Sequence, residues 1–575
     1  MIWHLSFIIL DQSLTVYFMY RFFIATLLFS SCHSDVFHIK NQDIVFRNGK
    51  IITANDGFAI EEMMVVRGDT IAYIGEEFDI EEEANITVID LNEKSALPGF
   101  VEPHTHPAAS AVLYQWLDIS GFTYSTAEEA LAAIQEAAES TPKGQWIFAF
   151  GWDAMLLQGA LPPYRKVLDE ISVDHPIWVM MQSMHSHYFN SHALELAGVN
   201  NDIENPAGGG YYEKDANGRL TGLITESATL APFIPLLPQL STPVLRQVLQ
   251  AQYQMYNNQG ITSIGVTGLI DGLMPQAESL IQELAQEEAP SLRLFLYRSG
   301  GVDYSSRPAF IENDFFKFMG YKYWADGSPY TGTMLVRDPY EDNKLTNERL
   351  SIPKASFGHT MLPPSLLVDL VTQNASQGVQ ISIHAQGDSA CHYTLDIFAA
   401  ALDKHPVEDH RHRLEHLALV TQDQVERMNR LGLTPSFHIN HIHYYGDFLA
   451  RIVGKERANS FMPLSYAVDH NMKFSLHNDS PMYPPLPLLA LETAVTRKTA
   501  NGRVLGESHR ISKEEGIKAL TIYPAWQMHA EDRIGSLEIG KQADIVILDQ
   551  DIISVDPDSI SEIGIYQVFI NGKKL

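Results

Sequence analysis

His104 and His106 stand one residue apart at the end of Leu97-Pro98-Gly99-Phe100-Val101-Glu102-Pro103-His104-Thr105-His106. In an extended strand, residues i and i+2 project from one face, so the two imidazoles can meet a single divalent cation. That is half a metal site. Other residues of ligand type close later apolar runs: Lys322 in Gly320-Tyr321-Lys322-Tyr323-Trp324, His384 after Ile381-Ser382-Ile383, His416 after Arg413-Leu414-Glu415, and Asp479 after His477-Asn478. A lysine among apolar neighbours is costly to bury unless its charge is removed or paired. Deprotonated, it can capture carbon dioxide, and the carbamate could bridge two metals. Chance accounts for any one of these histidines, but not for ligand-type residues ending successive strands in order.

Such residues need a scaffold that lifts them to one rim. Short apolar runs alternate with helical stretches: the His104/His106 strand, then Ile261 to Val266, Leu292 to Tyr297, Gly320 to Trp324, Val379 to His384, Arg413 to His416, Leu433 to Phe437 and Lys473 to His477. These are the eight strands that an α/β fold of the (β/α)8 TIM-barrel type requires, with its chemistry just past the strand ends. Between about residues 108 and 240 lies an insertion rich in Trp, Tyr, Gly and Pro, expected as a lid or substrate-recognition region over the barrel mouth. At the chain ends the pattern changes. Asp43 to Ile52 alternates around Asn48-Gly49 and reads as a hairpin, as does Met63 to Gly75 around Gly68-Asp69. Ala543 to Leu548 and Tyr566 to Asn571 match them, so residues 43–97 and 535–575 are expected to form one small β-sandwich, with the barrel occupying 98–534.

The chain has 575 residues, 45% hydrophobic and 19% charged, with a formal charge of −30, a composition suited to a large globular core. The excess of carboxylates opposes binding to nucleic acid or an anionic membrane. Its two cysteines, Cys32 and Cys391, provide neither a disulfide framework nor a thiolate zinc site, so His, Asp, Glu or Lys must hold any metal. Cys391 reads as a small buried residue near a helix start. Residues 19 to 32 differ: one arginine, an apolar run, small residues and then Cys32 make a lipoprotein-like signal within residues 1–32, with Met19 as the expected start and Cys32 as the lipid-bearing residue. The expected location is exported, periplasmic or membrane-anchored in a bacterium.

These motifs together resemble the amidohydrolase superfamily, in particular its YtcJ-like branch, amidohydrolase family 3. The strand-one pattern Pro98 to His106, the segment Lys322 with Asp326-Gly327-Ser328, the strand ends His384-Ala385-Gln386-Gly387-Asp388 and Arg413-Leu414-Glu415-His416, and the closing Gly535-Ser536, Gly540-Lys541, Ala543-Asp544, Val546 and Leu548-Asp549 carry the resemblance. Two departures stand out. Ser183 lies where the branch has an Asp before His185, Asn190 and Ser191, and strand eight ends His477-Asn478-Asp479-Ser480-Pro481 in place of a Gly-Ser-Asp pattern.

The resemblance implies a metal-dependent hydrolase of non-peptide carbon–nitrogen bonds, acting on an amide, a cyclic amide or an N-formyl compound. His104 and His106 would hold one metal; His384 and His416 would hold a second, with carbamylated Lys322 and Asp479 between. Asp479 would shuttle the proton from water to the leaving nitrogen. A mononuclear variant would use His104, His106, His384 and Asp479, leaving Lys322 unmodified. Zinc is the default for such ligands, while iron, manganese and nickel also suit them. Trp152, His185, Asn190, Glu226, Tyr330, His438 and His441 are candidate substrate contacts. A small-molecule substrate is the expected partner, and an oligomer is compatible with the sequence. The same site could serve an ester, lactone or phosphotriester hydrolase, and a dead lipid-anchored binding protein is the remaining alternative.

Overall fold

A computed structural model describes residues 37–80, 85–206, 209–268, 275–300 and 309–575. Cys32 and the signal-like run lie outside these residues. Among the described residues, eight strands form one parallel sheet in sequence order: Phe100–Thr105, Ile261–Thr267, Arg293–Ser299, Phe316–Trp324, Gln380–Ala385, Arg413–His416, Thr434–Phe437 and Ser475–Leu476. Each coincides with an expected strand; the fourth begins four residues earlier. Helices cover the outside while side chains fill the inside, so a strand such as Ile261–Thr267 is buried at every position, its hydroxyl-bearing Thr262, Ser263 and Thr267 included.

The first and last strands meet through side chains. The Glu102 carboxyl group accepts from the Asn478 backbone N–H at 3.1 Å and from Asn478 Nδ2 at 2.6 Å, and His106 N–H donates to Ser480 O at 3.0 Å. This seam brings the residues after strand eight against those after strand one.

The terminal segments build two further sheets around Phe46, Ile51, Met64, Val66, Ala96, Ile545, Ile547 and Phe569. Met63–Arg67 and Thr70–Gly75 pair as the expected antiparallel hairpin. The hairpin expected at Asn48-Gly49 does not form. Ile44–Arg47 pairs with Met63–Arg67 and Thr87–Asp90 in one sheet, whereas Lys50–Ile52 pairs with Ile60–Glu61 and Ser95–Pro98 in the other. The chain therefore crosses between sheets at this point. Gly49 is pressed against Leu91 and Lys94, where a Cβ would collide, so its glycine serves close approach and no reversal.

The segment after strand one contains a sheet of its own, in the order Tyr212–Lys214, Leu220–Thr225, Ser186–Phe189, Ile177–Met181, Ile147–Trp152 and Leu117–Asp118. Helix Ala127–Ser140 packs beside it and starts from a capping box, in which Thr126 accepts from Glu129 N–H and Glu129 reaches back to Thr126 N–H. The segment expected as a lid or substrate-recognition region thus folds around a sheet of its own, and its residues Met184, His185, Glu226 and Leu230 line the cavity at the barrel mouth.

Candidate metal centre and its cavity

Strand one delivers His104 with a set orientation. Its Nδ1 donates to Glu415 Oε2 at 2.7 Å, and Glu415 is itself held by Arg413 Nε at 2.8 Å and by the Ser382 hydroxyl at 2.8 Å. Burial opposes charge on Glu415, but Arg413 and then His104 outweigh it and hold the carboxyl well below its usual range. His104 Nε2 is left with its lone pair toward the cavity. Burial, assisted by nearby Lys322, pushes its pKa down to about 3, so the ring is neutral at pH 7.

Asp479 stands between two groups of histidines. Its Oδ1 is 3.1 Å from His106 Nε2 and 3.7 Å from His104 Nε2. Its Oδ2 lies 3.8 Å from His438 Nδ1 and 3.9 Å from His416 Nδ1. The backbone here is left-handed, with φ +59° at Asp479 and +74° at His416, so both strand ends turn inward. Burial opposes ionisation of Asp479, and the surrounding imidazoles, His104 foremost, hold its pKa well below the ordinary value.

His438 Nε2 donates to Asn478 O at 2.9 Å, which leaves Nδ1 as the acceptor facing Asp479. His477 is hydrogen-bonded through Nδ1 to the Ser436 hydroxyl at 2.8 Å, and its Nε2 lies 3.1 Å from His416 Nδ1. Three donor sets follow, each with ligand atoms within 4.8 Å of one another: His104, His106 and Asp479; His416, His438 and Asp479; and His104, His416 and His477. Lys322, buried on strand four, has burial pushing its amine down to about 8 against the pull of Glu415 and Asp479. Among the described residues, Lys322 Nζ and His438 Nδ1 have no hydrogen-bond partner. Neutral imidazoles, a carboxylate and buried donor atoms without partners form a set that fits a divalent cation.

His384 stands apart from these three sets. Its ring is 4.4 Å from that of His416 and lines the cavity, but its Nε2 is turned toward Gly327 O at 3.3 Å and Asp326 Oδ1 at 3.6 Å. Asp326 accepts from the backbone N–H groups of Gln386, Gly387 and Leu335, each at 2.9 Å, and so ties the loop after strand four to the loop after strand five.

The cavity in front of these groups has a volume of about 370 Å³, and Trp324, Met361, Met482 and Leu230 add apolar walls. Of the expected substrate contacts, His185 and Glu226 line it as a pair, Nδ1 to Oε2 at 2.7 Å. Burial works against the imidazolium of His185, yet Glu226 raises its pKa above the ordinary value. The other expected contacts have different surroundings. Trp152 packs in the hydrophobic core, because its strand turns that side chain inward. Asn190 caps helix Ser191–Leu196: its Oδ1 accepts from Ala193 and Ile177 N–H at 3.0 Å, and its Nδ2 donates to Ser172 and His175 carbonyls. Tyr330 and His441 bond each other at 2.7 Å, with His441 behind His438 at 4.1 Å between rings. Only His438 of this layer reaches Asp479.

Glu415, Arg413 and Glu102 stand in the sequence as motif letters without assigned roles, and His477 reads there as no more than the residue two before Asp479. The available signal is spacing: Arg413 and Glu415 sit at i and i+2 on a fully buried strand, so both face the barrel interior.

Eight parallel strands carrying neutral histidines, a lysine and a bridging carboxylate at one rim define a metal-dependent barrel hydrolase. The family model for the amidohydrolase family matches residues 87–575, and the chain belongs to that family. It is 27% identical over 501 residues to a putative amidohydrolase YtcJ of Bacillus subtilis, covering 84% of this chain and 89% of that one. It is also 23% identical over 542 residues to an N-substituted formamide deformylase of Arthrobacter pascens, covering 92% and 98%. An uncharacterized metal-dependent hydrolase from Pyrococcus horikoshii shares the fold, with a TM-score of 0.68, 23% identity and coverage of 90% and 99%.

Proposed function

We propose that this amidohydrolase cleaves the carbon–nitrogen bond of a small amide, cyclic amide or N-formyl compound, with Asp479 as the proton shuttle. The observation that carries this reading is the position of Asp479, whose two oxygens face separate histidine pairs. The similarity to a formamide deformylase supports an N-formyl or amide substrate. His104, His106 and Asp479 would hold one divalent ion, for which zinc suits the nitrogen-rich donors. His416 with His438 or His384, and Lys322 as its carbamate, would hold a second. A divalent ion there supplies Lewis acidity to a carbonyl and acidifies water. Asp479, ionised and aimed into the cavity, accepts the proton of the attacking water and returns it to the nitrogen as the carbon–nitrogen bond breaks, giving an acid and an amine. His185, whose protonated form Glu226 favours against burial, offers a hydrogen bond to a substrate oxygen at the opposite wall.

The test is metal analysis followed by an amide, N-formyl and ester panel on wild-type protein and Asp479→Asn. Compared at equal metal occupancy, the variant should lose about 10³-fold in kcat. Full turnover with metal retained would remove Asp479 from the mechanism, and hydrolysis of esters alone would reassign the substrate class.

We also propose export and lipid attachment at Cys32, supported by the arginine, apolar run and small residues before it. A mature N-terminal mass carrying lipid on Cys32 is expected; an intact Met1 would overturn this.

A further inference from the structure

A second chamber adjoins the reaction cavity. It has a volume of about 150 Å³ and is walled by Val112, Leu113, Trp116, Trp178, Met180 and Leu240, while Met184, Ser227 and Leu230 line both spaces. We propose that this chamber receives an uncharged, ring-sized apolar substituent of the substrate, so that the enzyme favours amides bearing an aryl, benzyl or compact alkyl group. The proposal rests on the amide reading above.

Size, chemistry and continuity each support this assignment. A dry cavity of roughly this volume, lined by apolar side chains, holds one benzene molecule. Among the described residues, the lining apart from His187 is not ionisable, so a carboxylate or ammonium placed there would lose its hydration without a counter-charge from them. The shared wall joins the chamber to the cavity that contains His104, His106 and Asp479. Met184 in that wall is unbranched and adaptable, which suits a partition that must yield to a substituent.

His187 adds one polar feature. Its Nδ1 accepts from Trp178 Nε1–H at 3.3 Å, so the neutral ring carries its proton on Nε2, which has no partner among the described residues. Burial keeps this ring neutral by pushing its pKa down to about 3.

Two tryptophans in the lining provide a readout that needs no catalysis. Bromobenzene added to the full-length protein should quench intrinsic fluorescence saturably. Val112→Phe and Leu240→Phe, two half-buried positions on different walls, should each weaken that binding at least about tenfold. Quenching that stays linear with concentration, or saturates equally in both folded variants, overturns the chamber. On the metal-loaded enzyme, kcat/KM should rise at least about tenfold from N-methylformamide to N-benzylformamide, and both variants should abolish the gain while leaving N-methylformamide unchanged. Equal kcat/KM across that series overturns the assignment to substrate. Saturable quenching with no amide turned over supports the chamber as an aromatic site and overturns the amide reading instead.

Discussion

Glu415 decides which nitrogen of His104 faces the cavity. A carboxylate on Nδ1–H leaves Nε2 as the ligand lone pair and restricts rotation of the ring. Glu415→Gln should therefore lower metal affinity about 10- to 100-fold, measured by competition with a chromophoric chelator. Lys322 supplies the second prediction at this scale. Carbamate formation consumes the neutral amine, and burial brings the lysine from its ordinary range down to about 8. The neutral fraction thus grows as pH rises from about 7 through 8 to 9, around a pKa lowered by burial. Reactivation of metal-stripped protein by added zinc should quicken with bicarbonate and with pH across that window. A rate indifferent to bicarbonate would favour the mononuclear arrangement with unmodified Lys322.

Among the elements, the seam between strands one and eight matters most to the site. Strand eight is only Ser475–Leu476, yet Asp479, the proposed proton shuttle, follows it by three residues. Glu102 compensates for the short strand by accepting both the backbone and the side-chain N–H groups of Asn478. Glu102→Ala leaves those buried donors without an acceptor, at a cost of about 1–3 kcal/mol. Urea denaturation should register that loss, and kcat should fall as Asp479 loses its support. Glu102→Gln, which keeps one acceptor, should recover part of both. Asp326 plays a comparable part on the other side, where one carboxylate gathers three backbone N–H groups from two loops.

At the scale of the whole molecule, the terminal sandwich is clamped to the barrel by a buried ion pair. Arg293, on barrel strand three, donates through Nε to Asp544 Oδ2 at 2.6 Å and through Nη2 to Asp544 Oδ1 at 3.0 Å. Asp544 precedes the sandwich strand Ile545–Leu548 and also accepts from Asn571 N–H at 3.0 Å. Both side chains are only 2–3% exposed, so removing one strands the other. Asp544→Ala should cost about 3–5 kcal/mol in chemical unfolding. Its folded fraction should retain wild-type kcat, because Arg293 opens its strand while the cavity is lined from the opposite, carboxyl ends of the strands.

The sequence by itself determined the barrel and the rim. Parallel strands buried on both faces tend toward near-continuous apolar runs, and residues of ligand type at the ends of such runs have few structural uses, so His104, His106, Lys322, His416 and Asp479 stand out as candidates one strand at a time. The terminal strands were legible for the same reason of periodicity, but their partners were not: Asn48-Gly49 has the local chemistry of a turn, and only packing against Leu91 and Lys94 shows that the chain crosses between sheets there. Tertiary structure also sorted residues of equal promise. His438 meets Asp479 while His441 sits one layer behind, and Trp152 and Asn190 are consumed by core packing and a helix cap. Periodicity reports which face a side chain takes within its own element; which groups converge across elements depends on how eight strands tilt and close, and that is settled only by long-range packing.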